Sequence, residues 1–181
     1  MRILLGIITA AAIGANALAA TIETKIEGEV NSTSIMPALI AVGTATSSDT
    51  VILTINSPGG SMAAGFKLLR AIEQTKAHTV CKLDGLGASM GAILFLGCKE
   101  KIVEPGSVLM FHLPYLPLDE KNAPADYKLR DYFVSRYTLT ILKEKYNLDR
   151  KMGTENWNRL LMGDDVWYFG KEQIDPLIRK R

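Results

Sequence analysis

Apolar positions along this chain fall into short, separated blocks whose spacing switches between two periods. Residues 26–30 read as a first strand. Residues 50–55, 79–83 and 108–111 are compact apolar, β-branched runs bounded by polar turn residues, the pattern of buried strands. Between them, 35–46 reads as a mostly apolar helix, and Met62, Phe66, Leu69 and Ile72 recur at helical spacing. The run 90–96 is apolar throughout and opens after Ser89, which predicts a short buried helix. A Pro-rich, charged loop follows at 115–125. Asp126 then caps a long predicted helix whose stripe is Leu129, Tyr132, Phe133, Tyr137, Ile141 and Leu142. Residues 154–161, with Trp157, read as one more short helix. Strands alternating with helices predict an α/β domain with a mostly parallel sheet.

The first nineteen residues stand apart from this alternation. Met1 and Arg2 make a minimal positive start, 3–13 is mostly apolar, and small residues at 15–20 fall at cleavage-site spacing. The segment is expected to be a secretory signal peptide cleaved near Ala19, with Ala17 and Ala20 as neighbouring alternatives and a retained membrane anchor as the competing reading. That leaves 20–181 as one domain, with export, in a bacterium to the periplasm, as the expected location. Without Arg2 the chain carries 20 basic against 19 acidic residues, so no nucleic-acid partner is implied. Two distant histidines and two distant cysteines match no metal-ligand spacing, and no metal or cofactor is expected. In an exported protein Cys81 and Cys98 could pair or remain two buried thiols; spacing leaves both open.

Candidate chemistry gathers at the strand ends. Asn56-Ser57-Pro58-Gly59-Gly60 closes the strand at 50–55, and glycines there can turn backbone N–H groups toward a ligand. After the strand at 79–83, Asp84 to Gly87 reads as a turn. Ser89 then stands at a strand-to-helix junction, with the Met90 N–H among the unpaired donors of the first helical turn. A serine at that place, taken alone, is most simply a helix cap. His112 ends the strand at 108–111, whereas His78 is expected in the solvated loop before 79–83. In an open α/β sheet the ends of successive strands converge on one crevice, which would bring the glycines, Ser89 and His112 together as nucleophile, base and oxyanion hole.

In this order, Asn-Ser-Pro-Gly-Gly, Gly87-Ala88-Ser89-Met90-Gly91-Ala92 and Met110-Phe111-His112-Leu113-Pro114 resemble the proteolytic subunit of the Clp protease, ClpP, within the ClpP/crotonase superfamily. The resemblance covers about 51–114. It implies a ClpP/crotonase-like fold of repeated ββα units with a protruding long helix, and a serine endopeptidase acting through Ser89, His112 and the N–H groups of Gly60 and Met90. The triad acid is expected before a C-terminal strand and helix, where Asp165 fits the pattern and Asp164 is the alternative. The long helix is where subunits of the family dock, so a homo-oligomeric ring is implied. The substrate expected is a peptide or unfolded polypeptide, laid as an extended strand beside Gly59-Gly60. The short N-terminal region and the expected export point to an ATP-independent peptidase, with no Clp-type ATPase partner expected. Two other readings stay open: a crotonase-like acyl-CoA hydratase or isomerase, and a catalytically silent scaffold.

Overall fold

The computed structural model describes residues 19–114 and 127–179, and for 127–133 the backbone alone. Strand, helix, strand, helix, strand, helix is the opening succession: β1 (Thr21–Val30), α1 (Met36–Thr44), β2 (Thr50–Gly60), α2 (Met62–Gln74), β3 (His78–Ala88) and α3 (Met90–Gly97). Two short strands follow, β4 (Glu100–Val103) and β5 (Val108–Phe111). After the undescribed stretch come α4 (Tyr127–Thr140), which runs on as a π-helical turn (Ile141–Lys145), then α5 (Leu148–Lys151), α6 (Gly153–Leu161), β6 (Val166–Phe169) and α7 (Gly170–Ile178). The sheet order is β1-β2-β3-β5-β6, with β4 pairing beside β3. Every pairing is parallel except β5 with β6, so this is the mostly parallel α/β sheet expected of the fold class.

The strand sequences show why. In β2, Val51, Leu53 and Ile55 are all fully buried, as befits a central strand covered on its apolar side. In α2 the buried positions Ala64, Leu68, Leu69 and Ile72 lie on one face, while Lys67 and Arg70 are exposed. In α3 every residue from Met90 to Leu96 is buried, so this helix runs through the core rather than along its surface. Phe95 and Phe111 are the largest of the fully buried side chains.

Several local expectations are corrected. Both central strands run further than their apolar cores: β2 continues through Gly60 and β3 through the expected turn at 84–87 to Ala88. The extension is stabilised by polar pins. The Leu86 N–H donates to Asn56 Oδ1 at 3.0 Å, and Ser107 Oγ donates to the Leu83 carbonyl at 2.8 Å while accepting from the Gly85 N–H at 3.3 Å. His78 is not in a loop but opens β3, with its Nε2 3.1 Å from Glu100 Oε2 on neighbouring β4. That strand is too short and too charged to have been read from periodicity.

Of the two cysteine alternatives, the structure has the disulfide. Cys81 in β3 and Cys98 at the end of α3 are bonded with their Cα atoms 5.5 Å apart. In the long helix Leu142 is buried, and Tyr137 is 51 % exposed but packs edge-on against Phe66 with centroids 4.9 Å apart. Residues 1–18 of the expected signal peptide, the loop 115–125, the expected cap Asp126 and the side chains of Leu129, Tyr132 and Phe133 lie outside the described residues.

Candidate active site

The parallel register of β2, β3 and β5 brings three distant segments to one edge of the sheet. Ser57 in β2 pairs with Gly87 in β3, and Gly87 pairs with Leu109 in β5. The next residues along each strand therefore emerge side by side: Gly59-Gly60, Ser89 and His112.

Ser89 sits at φ 53°, ψ −120°, a conformation rarely adopted by a residue with a Cβ. Its backbone over-determines it: the Ser89 N–H donates to the Met110 carbonyl at 3.0 Å, and its carbonyl accepts from the Ile93 N–H at 3.2 Å. The side chain makes no capping bond to α3. Ser89 Oγ instead lies 2.7 Å from His112 Nε2, so the helix-cap explanation of this serine fails. A hydroxyl in this sharp strand-to-helix turn, held against an imidazole, has the geometry of an activated nucleophile.

Gly59 explains why the first motif needs glycine. Its φ is +95°, and a Cβ built there would stand 2.7 Å from Ser89 Cβ, 2.8 Å from the Ala88 carbonyl oxygen and 2.9 Å from the Met90 nitrogen. The Gly59 backbone thus lies directly against the serine turn, beside the Met90 amide. A Cβ on Gly60 (φ +139°) would collide with the Val30 carbonyl at the end of β1. Met90 opens α3, so its N–H has no partner within the helix. Ser57, a residue the sequence reading passed over, ties this segment down: its Oγ donates to the Gly28 carbonyl at 2.5 Å and accepts from the Gly59 N–H at 3.1 Å. Nothing in the sequence marked it, because Ser57 stands between Asn56 and Pro58 and its burial shows only in the fold.

The antiparallel pair β5–β6 distinguishes the two aspartates. Phe111 is paired with Val166, so one step outward His112 faces Asp165. His112 Nδ1 is 3.6 Å from Asp165 Oδ1, ion-pair range rather than a formed hydrogen bond. Asp164 turns the other way, with Oδ2 3.4 Å from Arg159 Nε. Arg159 also donates to the Asp165 carbonyl at 3.4 Å and so braces the same turn. Gly163, at φ +93°, follows the end of α6 and turns the chain toward the two aspartates. Tyr168 packs edge-on against Phe111 with ring centroids 6.3 Å apart, and its hydroxyl, pushed above the ordinary phenol range by burial, accepts from Asn156 Nδ2 at 3.3 Å.

Sequence comparison agrees with this geometry at the level of family. The Clp protease family model matches residues 15–128, and the chain belongs to that family. Among curated relatives, the "ATP-dependent Clp protease proteolytic subunit 3" of Synechococcus sp. (strain CC9605) is 40% identical over 83 residues, 45% of this chain and 42% of the relative. The chloroplastic subunit 3 of Arabidopsis thaliana is 36% identical over 91 residues, 49% of this chain and 29% of the relative. Subunit 2 of Prochlorococcus marinus (strain MIT 9313) is 34% identical over 92 residues, 50% and 46% of the two chains. The chain thus spans less than half the length of these relatives. Among the described residues no group of three or more His, Cys, Asp or Glu side chains could hold a metal ion.

Proposed function

We propose that this protein is a serine endopeptidase that hydrolyses peptides or unfolded polypeptides without ATP. The observation that carries the reading is the 2.7 Å approach of His112 Nε2 to Ser89 Oγ at the junction of β3 and α3. In the proposed reaction His112 accepts the Ser89 proton as Oγ attacks the scissile carbonyl, then returns it to the leaving amine. Asp165 holds the Nδ1 proton of the ring and stabilises the imidazolium. The N–H groups of Gly60 and Met90 receive the oxyanion, and the Gly59-Gly60 segment offers backbone for an extended substrate strand. A crotonase-like hydratase needs carboxylates as its acid and base, whereas the groups nearest the glycine turn here are a hydroxyl and an imidazole.

The ATP-independent part rests on export. The 1–19 segment has the composition of a leader, and the Cys81–Cys98 disulfide is of a kind that persists in oxidising compartments. A third observation fits cleavage after Ala19. The Ala20 nitrogen lies 2.8 Å from Asp49 Oδ1, so a new α-amino group at Ala20 would form an ion pair with a carboxylate already in place. We further propose a homo-oligomer, on family grounds, and no Clp-type ATPase partner.

The test is hydrolysis of unfolded casein by the purified protein in nucleotide-free buffer. Turnover that disappears in Ser89→Ala and is unchanged by adding ATP is expected. No turnover by the native chain, or turnover surviving the substitution, would remove the proposal.

A further inference from the structure

A cavity lies at the far end of α3 from Ser89. It has a volume of about 580 Å³ and is walled by the end of α3, the π-helical turn, α5 and the end of α7. Its lining carries five cationic side chains, Lys101, Lys145, Arg150, Lys151 and Arg179, and no carboxylate. This excess is local, because the whole chain is nearly balanced at 21 basic to 19 acidic residues.

Structural duties account for only part of it. Lys145 pairs with Glu73, and Lys101 Nζ donates to the Cys98 carbonyl at 2.6 Å, at the C-terminal end of α3. Glu73 neutralises Lys145, and the C-termini of α3 and α7 each present about half a negative charge, so together they balance about two of the five cations. Arg150 and Arg179 are exposed at the cavity, and among the described residues neither guanidinium has an acceptor. Two unpaired guanidinium forks in one concave site suit phosphate groups, which they bind bidentately. The volume falls within the range of small-molecule sites, and Leu96, Tyr146 and Leu177 supply an apolar wall.

We propose that this cavity binds a small molecule bearing two or more phosphate groups, with Arg150 and Arg179 as its principal contacts. The proposal is independent of the peptidase reading, since none of these residues belongs to the Ser89 site.

Isothermal titration of the full chain with sodium tripolyphosphate at an ionic strength of about 0.15 M tests it. One saturable site is expected. Charge-assisted hydrogen bonds are strong enough that Arg150→Ala with Arg179→Ala should weaken binding about tenfold or more. The pair Arg150→Lys and Arg179→Lys should keep part of the affinity, and Lys67→Ala with Arg70→Ala on exposed α2 should leave it unchanged. Circular dichroism and a thermal melt establish that each variant is folded. Adenosine triphosphate is the second ligand: tighter binding than tripolyphosphate assigns a nucleotide, and equal binding assigns a bare polyphosphate. Absence of saturable heat, native affinity in the double alanine variant, or equal loss in the α2 variant would overturn the proposal.

Discussion

The two sides of His112 are built to different tolerances. On the nucleophile side, Ser89 is held in a rare backbone conformation, packed against a glycine that admits no Cβ, and sits 2.7 Å from the ring. On the acid side, Asp165 is 52 % exposed and 3.6 Å from the ring, positioned by one four-residue edge strand. Steric necessity specifies the first side and strand register the second. A single close contact can be over-determined by its neighbours, whereas register at an edge strand is held only by its pairing and its buried residues, here Val166 and Tyr168.

The largest expected effect is that of Ser89→Ala, which should reduce kcat by on the order of 10⁶-fold with the melting temperature nearly unchanged, read by peptide hydrolysis and calorimetry. Next is the acid side. Asp165→Asn should lower kcat by about 10³-fold to 10⁴-fold, since the carboxylate is what fixes the imidazole tautomer. Asp164→Asn should change it little, because Asp164 faces Arg159 instead. Equal losses in the two variants would mean that the β5–β6 register does not select the acid.

Replacing both Cys81 and Cys98 by alanine opens a loop of sequence separation 17 and should cost about 3 kcal/mol, measured by denaturant unfolding. Gly59→Ala should cost about 1–3 kcal/mol through its positive φ, and should also depress turnover because the new methyl displaces the Ser89 turn.

Asp49 provides the last comparison, a carboxylate held far more tightly than Asp165. The Thr46 N–H, the Thr46 hydroxyl and the Ala20 N–H, in that order of effect, hold it below the ordinary carboxylate range. A depressed folded-state value contributes stability above about pH 4, and that stability is lost as pH falls through the folded value. Asp49→Asn should therefore be less stable than the native chain at neutral pH, the difference shrinking toward zero in acid; a constant difference across that range would contradict the assignment.

These contrasts also explain what the sequence could reveal. That Ser89, His112 and the two glycines meet was legible because apolar runs marked three strands, and parallel strands deliver their ends to one edge. Strand lengths were not legible, because β2 and β3 continue through Gly and Asp residues that look like turns. Side-chain bonds from Asn56 and Ser107, made across tens of residues, hold those extensions. The choice between Asp164 and Asp165 depends on a pairing between β5 and β6, which no local pattern encodes. Likewise the cysteine spacing was compatible with bonded or free thiols until β3 and the end of α3 were seen to meet.

The central claim is that His112 makes the Ser89 hydroxyl a nucleophile, and covalent trapping tests it most directly. The native chain is treated with a fluorophosphonate, digested and mapped by mass spectrometry beside His112→Ala. A single phosphonyl adduct on Ser89 that is lost when the imidazole is removed is expected. An unmodified Ser89 in the native protein, or an adduct that forms equally well without His112, would contradict it.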